Sequence, residues 1–388
     1  MAVQVFFEFL RLGVTSFGGP IAHLGYFRRR FVERLHWLDD AAFAEIVALC
    51  NLLPGPTSSQ VGIVIGTTRA RILGGFLAWL GFTTPSAVLM AAFAYGVPLL
   101  SGRRSGIVHG LIVAAVAVVA NAVIDMGRTL CPDFKRRVVA IVCAVLALGL
   151  DRFVAQIAAI ALGAIVGLSA LRGLTAAKAG DFDLGISRRT GIAAAVVFAV
   201  LLAAAFVVVP LSTDRSLAVA GAFFRTGSLV FGGGHVVLPL LQAEVVPSGW
   251  LDNDRFLAGY GAAQAVPGPL FTFASYLGAA MHWPLAGLLG ALVATVAIFL
   301  PSFLLIAALA PFWHDVRSSP GWSAALRGIN AAVVGLLLAA FINPVVANGI
   351  RGLFDVVLAV AAFVLLRFLH WPPWTVVALS GAAGWFGV

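Results

Sequence analysis

With 388 residues, 61% of them hydrophobic and only 11% charged, the chain has too few charges to cover a water-facing surface, since soluble domains carry about 25% charged residues. The mean hydropathy of +1.03 agrees, so the soluble and disordered classes are excluded. The net charge of +9 then reflects cytoplasmic loops rich in Arg and Lys rather than a nucleic-acid surface.

The chain starts MAVQVFFEFLRLG, which has neither the basic n-region nor the A-x-A site of a signal peptide. Apolar stretches at 12–27 and 46–68 follow, each interrupted, the first by Phe17-Gly18-Gly19-Pro20 and the second by Pro54-Gly55-Pro56. Pro removes a helix hydrogen bond and Gly relaxes the backbone, so each stretch is expected to form two pieces. Charge-free runs near 72–102, 105–124 and 153–171 are long enough to span a bilayer, at about 17–25 residues. The hydrophilic joint AKAGDFDLGISRR leads to a further span at 190–213. Stretches at 226–243 and 256–280 are broken again, by Phe231-Gly232-Gly233-Gly234 and by Pro267-Gly268-Pro269, and runs at 328–350 and 368–388 complete the chain. Between Arg255 and Asp315 lie 59 residues without Asp, Glu, Lys or Arg. As helix they would extend roughly 90 Å, near three hydrocarbon thicknesses, and must fold back. The expected fold is an all-α polytopic membrane protein of about 10–13 membrane segments, some broken or re-entrant.

Other classes find little support. Cys50, Cys131 and Cys143 have neither disulfide nor metal-site spacing, and the seven histidines show no H-x-x-x-H pair. Neither Lys135 nor Lys178 sits in a G-x-x-x-x-G-K-[ST] loop, which argues against an ATP-driven pump. No cofactor, metal or nucleic-acid partner is expected. Ser58 with His23 would be the nucleophile and base of an intramembrane enzyme, but no G-x-S-x-G elbow surrounds Ser58.

The sequence repeats itself. Arg11 pairs with Arg225, Phe17 with Phe231, Trp37 with Trp250, Pro54 with Pro267 and Pro85 with Pro301, at offsets of 213 to 216 residues. This predicts two homologous halves, 1–180 and 210–388, joined by a linker and connecting span over 181–209. In the first half, Arg28, Arg29, Arg30 and Arg34 follow the Gly motif, and Arg69 and Arg71 follow the PGP segment. The matching loops of the second half hold Glu244, Asp252, Asp254 and Arg255, then only His282. By the positive-inside rule the same loops are cytoplasmic in one half and external in the other, which predicts inverted topology. Arg103, Arg104 and Arg351 fall outside on this arrangement.

Candidate site residues cluster at the breaks. Thr57, Ser58 and Ser59, followed by Gln60, open a helix after Pro56, where free N–H groups and the positive dipole end favour an anion. Thr272 holds a similar place after Pro269, and Asn51 and Gln264 precede the two PGP turns by three positions. Gly18, Gly19, Gly232, Gly233 and Gly234 either allow close helix packing or expose backbone toward a cavity. Arg11 and Arg225 stand six residues before each Phe-Gly-Gly, and an arginine fork suits a tetrahedral oxyanion. Glu8 and Glu244 are their alternative, purely structural partners. Glu45, Asp125 and His23 are proton-coupling candidates, with Arg128 or Arg69 the alternative partner of Asp125. His235 either joins the substrate site or only packs. Trp37 and Trp250 read as interfacial anchors.

On FGGPIAHLGYFRRRFVERLHWLDD, NLLPGPTSSQVG, FGGGHVVLPLL and GWLDNDRFLAGYGAAQAVPGP, the chain resembles the chromate ion transporter family, long two-domain type. The resemblance implies chromate efflux across the inner membrane and chromate resistance, with sulfate as isostructural competitor and protons as coupling ion. A homodimer is compatible with it. It marks Phe17, Gly18, Gly19, Pro20, Pro54, Gly55, Pro56, Gly232, Gly233, Gly234, His235, Pro267, Gly268 and Pro269 as motif residues. Arg30 stands where relatives tend to have an acid, and Arg71 where they tend to have Gly.

Overall fold

The computed structural model describes residues 1–97, 105–150, 152–171, 184–231, 234–281, 285–317 and 319–387. Among them the regular structure is entirely helical. The N-terminal half contains α1 (Ala2–Thr15), α2 (Gly19–Phe27), α3 (Asp40–Leu52), α4 (Thr57–Gly96), α5 (Ser105–Leu130), α6 (Phe134–Gly149) and α7 (Arg152–Ala170). After α8 (Arg188–Ala203) come α9 (Arg215–Leu229), α10 (Val237–Val245), α11 (Asn253–Ala263), α12 (Phe273–Ala280) and α13 (Gly287–Leu309). The chain ends with α14 (Trp313–Arg317), α15 (Pro320–Ala340), α16 (Ala347–Gly349), α17 (Leu353–Arg367) and α18 (Pro373–Gly387). All four expected interruptions occur, between α1 and α2, α3 and α4, α9 and α10, and α11 and α12.

α4 is two helices, because Ala70 and Arg71 leave helical geometry, Arg71 with φ +56°. Its first leg, 57–69, is about 20 Å long at the helical rise, too short for a hydrocarbon core of about 30 Å. It turns back on its second leg where Gly66 and Gly74 bring the backbones together: a Cβ on Gly66 would lie 2.4 Å from the Gly74 carbonyl oxygen. α12 and α13 repeat this contact through Gly278 and Gly290, at 2.1 Å. The α12–α13 hairpin is a folded-back segment of the kind that the uncharged stretch required.

The Trp-Leu-Asp motifs have a local role that their interfacial tryptophans did not suggest. Asp39 caps α3 by accepting from the Ala42 N–H at 2.7 Å, and Asp252 caps α11 by accepting from the Arg255 N–H at 2.8 Å. Each cap satisfies one of the helix's free donors. Asp39→Ala and Asp252→Ala should each cost about 1 kcal/mol, seen as a lower thermal midpoint of the detergent-solubilised protein. An unchanged midpoint would mean that water replaces the cap.

The two halves interleave. α5 packs on α17 and α18, while α15 packs on α6 and α7. Small residues allow it: Gly106 faces the Gly384 carbonyl and Gly328 faces the Gly163 carbonyl. Behind the PGP turns stand two aromatic clusters, Phe9, Phe27, Phe31 and Phe82 on one side and Phe256, Tyr260, Phe273 and Tyr276 on the other. Apolar side chains such as Phe76, Val88, Leu288 and Leu292 point outward, as lipid-facing residues do. The helices over 188–211, 287–316 and 321–349 and the 106–130 segment are long and apolar enough to cross a membrane.

Candidate functional site

The two PGP turns are each held by the other half of the chain. The Gly55 N–H donates to the Val230 carbonyl at 2.7 Å, and the Gly268 N–H donates to the Ser16 carbonyl at 2.9 Å. Ser16 and Val230 occupy equivalent places, each closing the helix before a Phe-Gly-Gly break. Gly55 has φ +120° and Gly268 φ +94°, the left-handed region that favours glycine. Space demands glycine as well. A Cβ on Gly55 would lie 2.8 Å from Ser302 Oγ and 2.7 Å from Gln60 Nε2, and one on Gly268 would lie 2.8 Å from Ser86 Oγ.

Around these turns sits a buried polar cluster. His23 is fully buried; its ring bonds Ser58 Oγ through Nδ1 and the Ser16 carbonyl through Nε2, both at 3.2 Å. The carbonyl accepts only, so in the neutral ring Nε2 carries the hydrogen and Nδ1 accepts from the Ser58 hydroxyl. The proximity of His23 and Ser58 does not make a hydrolase triad, because the second ring nitrogen meets a main-chain carbonyl where a triad has a carboxylate. In the C-terminal half His235 Nδ1 meets Tyr260 Oη at 3.0 Å. Thr272 Oγ1 donates to the Pro269 carbonyl at 2.8 Å, and Gln60 Nε2 to the Pro54 carbonyl at 2.7 Å. Buried side-chain atoms without a hydrogen-bond partner among the described residues include Ser16 Oγ, Ser59 Oγ, Gln60 Oε1, Thr226 Oγ1 and Gln264 Nε2. Such atoms are rare and costly in a finished core. These five lie at or near the helix breaks, where a polar ligand or water would satisfy them; others, such as Trp79 Nε1, Thr295 Oγ1 and Arg327 Nε, lie within helices away from the breaks.

Other sequence candidates lie elsewhere. Asn51 is exposed on the last turn of α3, and Thr57 is half-buried. Gly18 and Gly19 have φ +98° and +77°, and α2 starts there. Gly234 is buried beside Leu270 and Pro20, whereas Gly232 and Gly233 lie outside the described residues. Arg225 forks onto Glu244 at 2.9 and 2.6 Å and donates to the Ala205 carbonyl at 2.5 Å. Arg11, its counterpart, is exposed on α1. Glu8 does not pair with it: the Glu8 carboxylate takes both arms of Arg30, each at 2.7 Å. Glu45 is buried and accepts from Trp313 Nε1 at 2.8 Å. Asp125 pairs with Arg367 and accepts from Asn121 at 3.1 Å, rather than with Arg128 or Arg69.

Sequence reasoning passed over Ser16, Ser86, Ser302, Tyr260 and Arg367. Ser86 and Ser302 follow the repeated Pro85 and Pro301, so the repeat could have found these two, and Tyr260 lies one helical turn before Gln264. Nothing in the local pattern singles out Arg367.

Fold and site together define a multi-pass helical membrane protein whose interrupted helices converge on buried polar turns. The chain belongs to the chromate transporter family, whose sequence profile matches residues 3–168 and again 217–385. It is 29% identical to the chromate transport protein of Pseudomonas aeruginosa over 88% of this chain and 80% of that one. It is also 29% identical to the chromate transport protein of Cupriavidus metallidurans, over 94% and 87%. A probable chromate transport protein of Synechococcus elongatus is 27% identical over 86% and 82%. No solved structure matches.

Proposed function

We propose that the protein exports chromate from the cytoplasm across the inner membrane by secondary transport, driven by protons. The observation that carries this reading is the pair of crossed hydrogen bonds, Gly55 N–H to Val230 O and Gly268 N–H to Ser16 O. Each PGP turn rides on the opposite half, so movement of one half against the other reshapes both turns together. That coupling suits alternating access around a central site. In this reading the halves are residues 1–180 and 210–388, inverted with respect to each other and joined by 181–209. The start of α4 supplies about half a positive charge, with Ser58, Ser59, Gln60 and the Gly motifs around the anion. Glu45, Asp125 and His23 are the groups that would carry the proton.

The rival reading, uptake of sulfate or another oxyanion, uses the same turns, because reciprocal contacts carry no direction. One experiment separates the two. Inverted vesicles containing the protein should accumulate labelled chromate, more in the presence of a pH gradient, and sulfate less. Sulfate accumulation confined to right-side-out vesicles would favour the rival. The inverted arrangement has its own check: Ser248→Cys should react with a membrane-impermeant thiol reagent from outside and Arg34→Cys only from the cytoplasm. Labelling of both from one face would favour a parallel duplication.

A further inference from the structure

We propose that Ser86 and Ser302 are anion-binding residues that work in trans, each donating its hydroxyl to an oxyanion held at the PGP turn of the opposite half. This rests on the transport reading above and assigns it two residues. Pro85 and Pro301 lie inside helices, where a proline removes a hydrogen bond to the carbonyl four residues earlier and opens the helix. The serine that follows each proline faces the other half's turn. An added Cβ on Gly55 would stand 2.8 Å from Ser302 Oγ, and one on Gly268 2.8 Å from Ser86 Oγ. The arrangement thus occurs twice, at positions that the repeat pairs.

Close packing explains the small size of these residues but not their hydroxyls, since alanine would make as small a wall. Both serines are buried, at 1% and 0% exposure, where an idle hydroxyl is costly. Ser302 Oγ accepts a long bond from Gln60 Nε2 at 3.4 Å, and its own hydrogen has no acceptor among the described residues. Ser86 spends its hydrogen on the Thr83 carbonyl at 3.0 Å, within its own helix, a bond that is easily exchanged. At the α4 start, Ser59 Oγ is a further hydroxyl without a partner among the described residues, almost fully buried. The N-terminal turn of α4, its own hydroxyls and the hydroxyl from the other half thus offer donors from several directions. A tetrahedral oxyanion needs that spread, having oxygens on all sides.

The test is chromate uptake into proteoliposomes holding equal amounts of folded protein. Ser86→Ala and Ser302→Ala should each raise the KM for chromate about tenfold, as loss of a hydrogen bond to a charged group does, with Vmax held within about twofold. Because an alanine variant can be lost to misfolding, Ser302→Thr and Ser302→Val provide a second comparison, equal in shape and different only in the hydroxyl. Thr should keep the lower KM by a similar factor. A wild-type KM in both alanine variants, or equal KM values for Thr and Val, overturns the proposal. A wild-type protein that takes up no chromate would overturn the transport reading instead.

Discussion

Replacing Gly55 or Gly268 by alanine is expected to abolish transport while most of the protein still reaches the membrane. Two costs add at each position. The left-handed backbone, φ +120° at Gly55 and +94° at Gly268, penalises any side chain by about 1–2 kcal/mol. The new methyl then meets Ser302 Oγ and Gln60 Nε2 in one turn, or Ser86 Oγ in the other, at 2.7–2.8 Å. Relief requires the turn to move off the opposite half, which breaks the crossed bond to Val230 or Ser16. The helices behind the turns keep their aromatic clusters, so the damage is local. Uptake should fall at least about a hundredfold, while monodispersity after solubilisation stays near wild type, since displacement of the turn relieves the clash locally and leaves the packed helices behind it in place. Gly249, at φ +68° with nothing near its Cβ, is the control. Its alanine variant shares the backbone cost but not the clash and should transport. Normal uptake by Gly55→Ala and Gly268→Ala would remove the turns from the pathway.

Much of this architecture was legible in the sequence because it is written in residue types with strong local effects. Proline and glycine interrupt helices wherever they lie, so the four breaks followed from FGGP, PGP, FGGG and PGP alone. The uncharged stretch after Arg255 forced a return within the membrane by length. The repeat offset was equally plain. What the offset could not reveal is which copy of a motif meets which. Gly55 could have bonded Ser16, within its own half, as well as Val230; the choice is made by the interleaving of α5 and α15 with the opposite half's helices, and that depends on side-chain volumes across distant segments. Ser86 and Ser302 stayed hidden for the same reason, since their significance lies in what the other half brings to them. Arg11 and Arg225 looked equivalent by position, yet one is exposed and the other is enclosed by a carboxylate, because the acid that meets Arg225 has no counterpart at residue 30.

That asymmetry leads to the second large effect. Glu244 stands 214 residues after Arg30, as Arg225 does after Arg11. The second half thus pairs Arg225 with Glu244, whereas the first half has an arginine in place of that acid. Its pair survives with reversed polarity: Glu8, where the second half has Ala222, takes both arms of Arg30. Both pairs are largely buried, with side-chain exposures of 11% and 15% for Arg225 and Glu244 and 20% and 16% for Arg30 and Glu8. Removing one member of such a pair strands a charge and costs roughly 3–5 kcal/mol. Arg225→Gln and Glu244→Gln should therefore reduce the yield of folded protein as well as transport. Arg11→Gln should leave the yield intact, because exposed Arg11 holds no buried partner in place, and any loss of uptake then measures its attraction for the anion alone. Arg30→Glu should be as damaging as Arg225→Gln, since it sets two carboxylates against each other. Adding Glu8→Ala to Arg30→Glu recreates the second half's pattern, with Arg11 free to turn inward onto the new acid, and should restore folded protein. If the double variant is no better than Arg30→Glu, the two halves do not share this pairing.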